Sequence, residues 1–382
     1  MENRMPLTEI RYKTWVEINP AAMRFNIRAV RSLLRKKTGL WLVVKSNAYG
    51  HGLVPTATLA RDNGVDGFCV DSVVEGGRLR ESGIAGPILV LGPTLPHLYD
   101  SAVERGLLLT ISGWDALDAL GRSAARPEFH LKIDSGMHRQ GFYPEELPKV
   151  LTRLKKYELG GFFRGAYTHF ASAKDVNYPT FTRSQFAAFQ DASARLKAED
   201  GLKKNSLFHC AASGAALIDR RYHLDLVRIG ICLYGLWPSK ELEIQMSAGL
   251  EFNPVLSWRS IVSEVKMARK GAFVGYDMSE RLARNSRLAI VPIGYWHGFD
   301  RGLSGTGEVL INGARARVRG RVSMDLITVD VTGIPCRVGD MVTLIGRSGA
   351  EMITAAEMAG RIDSTAYEVL TRINPLVKRL VV

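Results

Sequence analysis

The sequence predicts an α/β protein, a (β/α)8 TIM-type barrel followed by a C-terminal mostly-β domain, and three observations predict it. Eight short apolar runs alternate with stretches able to form helices, the pattern of parallel strands joined by right-handed crossovers. Past "WPSKELE" the patterning changes to period two. The 382 residues, 46% of them hydrophobic, are enough for a barrel and a further domain.

Taken in order, "TWVEIN" reads as a strand that could cross back to join the C-terminal domain. The segment after "NPAA" is helical, with Met23, Ile27, Val30 and Leu34 on one face and Arg24, Arg28, Arg31 and Arg35 pointing away. The barrel strands follow as "WLVVK", "GFCV", "PILVLG", "LLLTI", "FHLKID", "FRGAYTHF", "SLFHC" and "LVRIGICLYG". These divide the chain into a barrel over 1–245 and a β domain over 246–382. In the β domain "ITVDVT" alternates Ile327, Val329 and Val331 with Thr328 and Asp330, and Asn312-Gly313 is a two-residue hairpin signal.

The net charge of +13 is scattered through stretches such as "RLKKYELG" and "MARKGAF", which argues for a solvated basic surface and against a nucleic-acid partner. Cys69, Cys210, Cys232 and Cys336 lie far apart with no CxxC pair, so neither a zinc site nor a disulfide framework is indicated. Cys69 and Cys232 read as small buried hydrophobes, and no histidine spacing suggests a metal. "MENRMPLTEIRYKTW" lacks a signal-peptide core, and no segment has the ~18 uninterrupted apolar residues of a membrane span. A soluble, cytoplasmic protein is expected.

In a barrel the reactive residues gather where strands end. Lys45 ends the first barrel strand, Arg139 follows the fifth, His169 ends the sixth, Ser213 follows the seventh and Arg228 opens the eighth. Any one of them alone reads as an ordinary solvated side chain; five unlike polar residues on one rim read as a site. A partly desolvated lysine near other cations can act as an amine nucleophile and form a Schiff base with an aldehyde cofactor. Pyridoxal phosphate is the candidate, and "RIGICLYG", after the last strand, is where such folds bind phosphate.

The sequence resembles the alanine racemases, a two-domain pyridoxal-phosphate family, over nearly its full length. The resemblance is carried by "VVKSNAYGHG", "KIDSGMHRQG", "YTHFA", "HCAASGAAL", "VRIGICLYG", "VGYD", "PIGYWHGF", "GRVSMD" and "AYEVLTRI". It implies that Lys45 is the Schiff-base lysine and one acid/base group, and that Tyr276 is the second, supplied by the other subunit of a head-to-tail homodimer with shared active sites. It matches Tyr49, Ser213, Tyr367 and the backbone of Gly230 and Ile231 to the phosphate ligands. It matches Arg228 to the arginine at the pyridine nitrogen, with His169 supporting it. Arg139 and Met324 match the substrate-carboxylate positions, and Tyr295 and Arg301 the entrance corridor. Lys132 matches a lysine that is carbamylated in some members; carbamate and free amine both stay open.

Racemisation needs bases on both faces of a planar carbanion, and the resemblance supplies two. It implies interconversion of L- and D-alanine for peptidoglycan. Two readings stand beside it: a broader or serine-preferring racemase, and a non-catalytic pyridoxal-phosphate carrier, although such carriers lack the β domain. The chain departs from the family at Ala212, usually asparagine, at Asp277, usually glycine, at Trp296-His297, usually a small and an acidic residue, and at Lys174, often an acid. These suggest a bulkier and more basic corridor. His209 reads as a hydrogen-bonded core residue.

Overall fold

The computed structural model describes residues 12–174 and 179–382. The N-terminal stretch without an export-signal pattern lies, up to residue 11, outside the described residues. Two compact units form: a barrel of Ala21–Ala48 with Leu53–Asn253, and a β-rich unit of the described residues up to Pro20 with Tyr49–Gly52 and Pro254–Val382. β1 (Thr14–Ile18) belongs to the β-rich unit.

The barrel strands are β2 (Gly39–Val43), β3 (Gly67–Val70), β4 (Ile88–Val90), β5 (Leu109–Ile111), β6 (Phe129–Lys132), β7 (Phe163–Tyr167), β8 (Leu207–His209) and β9 (Leu226–Ile229). All pair in parallel, in two runs, β4-β3-β2-β9 and β5-β6-β7-β8. Backbone bonds close both seams: Val90 N to Leu108 O at 2.8 Å on one side, Arg228 N to Ala211 O at 2.9 Å on the other. A closed sheet has no edge left to pair with another chain.

The first helix, α1 (Pro20–Leu33), buries Met23, Ile27 and Val30 as its periodicity predicts. Leu34 falls past its end and is half-buried, and Ala22 and Asn26 are buried in addition. The asparagine is tolerated there because its amide is satisfied: it donates to Leu233 O (3.2 Å) and Asn253 O (2.8 Å) and accepts from Asn253 N (2.8 Å).

In the β-rich unit β1 lies between β10 (Leu256–Ile261), antiparallel, and the strand Lys378–Val381, parallel. The strands Glu308–Ile311 and Ala314–Arg319 meet through Asn312-Gly313, whose φ values of 49° and 77° are the two positive angles of a type I′ turn. In the strand Ile327–Asp330, Ile327 and Val329 face the core, but Asp330 is also buried. Its partner explains the departure from alternation: Arg319 Nη2 lies 3.1 Å from Asp330 Oδ2. Among the described residues no helix is long and apolar enough to cross a membrane.

Candidate active site

Lys45 stands two residues past the end of β2, with Nζ 3.8 Å from Asp71 Oδ1 beyond β3. The chain then turns in an uncommon way. Ser46, Asn47, Ala48 and Tyr49 have φ of 56°, 56°, 53° and 52°, four consecutive non-glycine residues in the left-handed region. L-residues enter that region at a cost of roughly 1–2 kcal/mol each, so the turn must be held from outside. Asn47 does much of this: its N–H donates to Glu75 Oε1 (3.3 Å) and its Oδ1 accepts from Leu53 N (3.0 Å). Glu75 also accepts from Asp71 N at 2.8 Å, tying the lysine's ion-pair partner to the same anchor.

Arg228 is the third residue of β9 rather than its opening, and is 3% exposed inside the barrel. Its guanidinium donates to His209 Nδ1, to Thr168 O (2.8 Å) and to Cys210 O (3.4 Å), and lies 3.5 Å from His169 Nδ1. Every one of these partners is neutral. His209 is therefore the nearer support, with His169, from which that support was expected, at the limit of hydrogen-bond reach. Tyr167 packs between the charged groups: its ring stacks on His209 at 4.9 Å, and both Arg228 Cζ and Lys132 Nζ lie 4.8 Å from its centroid. Its hydroxyl is 3.0 Å from Thr110 Oγ1, and burial pushes its pKa up to about 12.

Burial and the neighbouring charge of Arg228 hold His209 and His169 well below the usual histidine range. Lys132, the last residue of β6, is 4% exposed and is held well below the usual lysine range by burial, then by Arg228 and Arg139, with Asp134 opposing. Arg139 is exposed on the loop after β6. Asp134 Oδ1 shapes that loop by accepting from the N–H groups of Gly136 (2.9 Å), Met137 (2.9 Å) and His138 (3.1 Å).

Ser213 opens the short helix Ser213–Ile218, and its Oγ accepts from Gly230 N at 3.2 Å. That bond brings the hydroxyl together with the backbone of Gly230 and Ile231 just past β9. Ala212, at the helix N-cap, makes no side-chain cap bond. These features fit pyridoxal phosphate: a hydroxyl beside backbone N–H groups after the last strand for a phosphate, and a buried cation with only neutral partners for a ring nitrogen.

The remaining predicted residues lie in the β-rich unit. Tyr276 is 68% exposed on a turn where Gly275 (φ 73°) and Asp277 (φ 63°) are both left-handed, which explains why glycine suits the position of Asp277. Tyr295 N and Trp296 N donate to Ser323 O and Met324 O, each at 3.1 Å, stitching "PIGYWHGF" to "GRVSMD". Gly294 permits this, since a side-chain carbon there would sit 2.2 Å from Ser323 O. Phe273, Tyr276, Met278, Tyr295, Trp296 and Met324 are all exposed. His297, by contrast, is buried, with Nδ1 accepting from Gly294 N at 3.2 Å and burial lowering its pKa, so it adds no positive charge to a corridor. Arg301 is exposed on the turn Arg301–Leu303. Tyr49 and Tyr367 pair with ring centroids 5.9 Å apart.

The four cysteines are unpaired and buried, and burial pushes the thiols of Cys69, Cys210 and Cys232 up to about 12. Sequence reasoning did not single out Asp71, Tyr167 or His130. The signal was present in "FHLKID", where His130 and Lys132 alternate as residues of one strand face must.

The family models described as "Alanine racemase, N-terminal domain" and "Alanine racemase, C-terminal domain" match residues 18–238 and 255–381. The chain is 35% identical over 383 residues to the alanine racemase of Leptospira interrogans, covering 97% of this chain and 96% of that protein. With that of Symbiobacterium thermophilum it shares 38% identity over 374 residues, 96% of each. The crystal structure of the Bacillus anthracis alanine racemase with bound L-Ala-P superposes with a TM-score of 0.90 at 34% identity, covering 98% of this chain and 96% of that one. The chain belongs to the alanine racemase family.

Proposed function

We propose that this chain interconverts L- and D-alanine with pyridoxal phosphate, supplying D-alanine for peptidoglycan, at active sites completed by a second copy of the chain. The observation that carries the reading is the buried, carboxylate-free Arg228 in the barrel whose first strand delivers Lys45. A buried cation is costly unless something compensates it, and here the protein offers only dipoles.

Pyridoxal phosphate, when bound, supplies the electron sink that makes an amino acid's α-proton removable. Lys45 is the amine that would hold the cofactor through its aldehyde and would move a proton on one face. Tyr276 of the second copy moves the proton on the other, because a single base cannot serve both. Arg228 would donate to the ring nitrogen and, because a guanidinium does not give up its proton, would leave that nitrogen without one. Ser213, Tyr49, Tyr367 and the backbone of Gly230 and Ile231 hold the phosphate. Arg139 and the Met324 N–H orient the substrate carboxylate, and Tyr295 and Arg301 line its entrance. The held-down pKa of Lys132 favours the neutral amine, which adds CO2 with loss of one proton; the resulting carbamate accepts from Arg139. The exposed aromatic and methionine side chains around Tyr276 support a covered surface and so a homodimer.

The reading is tested by adding pyridoxal phosphate and following each alanine enantiomer by chiral chromatography. Equal amounts of the two from either start are expected; faster turnover of serine than alanine would overturn the substrate assignment. Lys45→Ala and Tyr276→Phe should each be inactive, and their mixture should regain a fraction of the activity. A mixture that stays dead while the wild type is dimeric would sink the shared site.

A further inference from the structure

The contacts of Arg228 continue into the barrel beyond His209. His209 Nε2 lies 2.9 Å from Nδ1 of His130, the second residue of β6, and both rings sit 6.2 Å from Trp41. Gly165 on β7 makes the room, since a side-chain carbon there would stand 3.0 Å from His130 Cε1 and 2.0 Å from Leu207 O.

A guanidinium has N–H donors and no acceptor, so His209 must offer Arg228 a lone pair at Nδ1. Both imidazoles are fully buried, and burial together with the charge of Arg228 lowers both pKa values, that of His130 to about 3. Each ring therefore carries one proton in neutral solution. The proton of His209 is on Nε2 and is donated to His130 Nδ1; that of His130 is on its own Nε2, which is buried with no hydrogen-bond partner among the described residues. Only this direction satisfies both contacts that join the three side chains. An unpaired buried donor is rare in protein interiors, and an apolar residue at 130 would avoid it.

We infer that His130 is a positioning residue that holds His209 in its Nε2–H form, so that His209 keeps accepting from Arg228 and the guanidinium stays aimed at the C-terminal mouth of the barrel. Without the acceptor on His130, the Nδ1–H form of His209 becomes competitive, and its N–H confronts the guanidinium. The kinetic consequence rests on Arg228 facing the cofactor ring; the tautomer does not.

The test is two-bond 1H–15N correlation spectroscopy on the full chain labelled in histidine, with and without pyridoxal phosphate. The wild type is expected to show His209 and His130 as single Nε2–H forms, and His130→Leu to give a mixture at His209. His130→Asn, whose amide oxygen can stand where Nδ1 stood, restores the single form. With alanine, His130→Leu is expected to lower kcat about tenfold, the equivalent of one hydrogen bond, with KM changed less than about twofold, and His130→Asn to recover most of the loss. An Nδ1–H or doubly protonated His209 in the wild type, a His209 unmoved by His130→Leu, or a changed tautomer with unchanged kcat would each overturn the inference. Should His130→Leu fail to fold, the wild-type and His130→Asn spectra still decide it. Failure of the cofactor reading appears separately, as a wild type that neither yellows nor racemises while its tautomers are as described.

Discussion

Arg228 in the barrel and Arg315 in the β-rich unit use the same side chain in opposite surroundings. Arg315 is about a third exposed and meets Glu351 (2.8 Å), Glu308 (2.9 Å) and Glu357 (2.6 Å), while Arg361 bridges Glu308 and Glu357 again. Those hydrogen bonds raise the pKa of Arg315, whereas burial lowers that of Arg228. Arg315 is complete within the fold and serves stability. Arg228 leaves its charge without a counter-ion, the condition of a group kept for a ligand.

The largest effect expected from this contrast is on catalysis. Arg228→Leu should lower kcat about a hundredfold or more, since it deletes a preorganised donor, while the thermal midpoint stays within about 3 °C because a buried cation is exchanged for apolar packing. Racemase assays and circular dichroism measure the two; a collapse of the midpoint with kcat intact would make Arg228 a structural residue like Arg315.

Acid should separate the units next. In the unfolded chain histidines titrate near ~6.5, whereas folded His130 stays neutral to about 3, and His169, His209 and His223 are also shifted down. Between those limits the unfolded state binds more protons, so this part of the stability is present above about pH 6.5 and is lost as pH falls toward 3. The network of Arg315 depends on carboxylates, of which Glu357 is shifted down, chiefly by its bond to Arg315, so it weakens only below the ordinary carboxylate range, about pH 4.3. The β-rich unit holds one such histidine, His297, against four in the barrel, so hydrogen exchange corrected for intrinsic rates should show the barrel loosening first on acidification. Simultaneous loosening of both units at pH 6 would remove the distinction.

Smaller effects remain. Arg315→Met should cost about 1 kcal/mol, less at high salt, and leave kcat unchanged, as urea unfolding and assays can establish. Ala212→Asn should stabilise the barrel by about 1 kcal/mol by capping Ser213–Ile218, and an unchanged urea midpoint would show that the cap geometry is not met.

The barrel was legible because its strands are short apolar runs with crossover segments between them, and Asn312-Gly313 announced its hairpin chemically. Lys45 was legible because a lysine at a strand end stands out against "WLVV". What could not be read was which interior side chain meets which. Arg228 and His209 are 19 residues apart and meet only once β8 and β9 are in register, and His209 and His130 are separated by 79. Nor did local preference reveal the backbone after Lys45: serine, alanine and tyrosine seldom turn left-handed, and the bonds made by Asn47 and Glu75, distant in sequence from one another, help to hold it. The burial of His297 beside the exposed Trp296 could not be read for a similar reason, because exposure is decided by which neighbours cover a side chain.

That left-handed turn also sets an order of events during synthesis. Tyr49 waits for Tyr367, and the carbonyl of Gly50 waits for Arg379, whose Nε reaches it at 3.0 Å. The lysine leaves the ribosome well before them, for Arg379 follows Gly50 by 329 residues, and the bend beside the lysine finds these supports only once they have emerged. A nascent chain can thus complete much of its barrel while remaining chemically silent, and translation itself delays the moment at which the enzyme becomes competent.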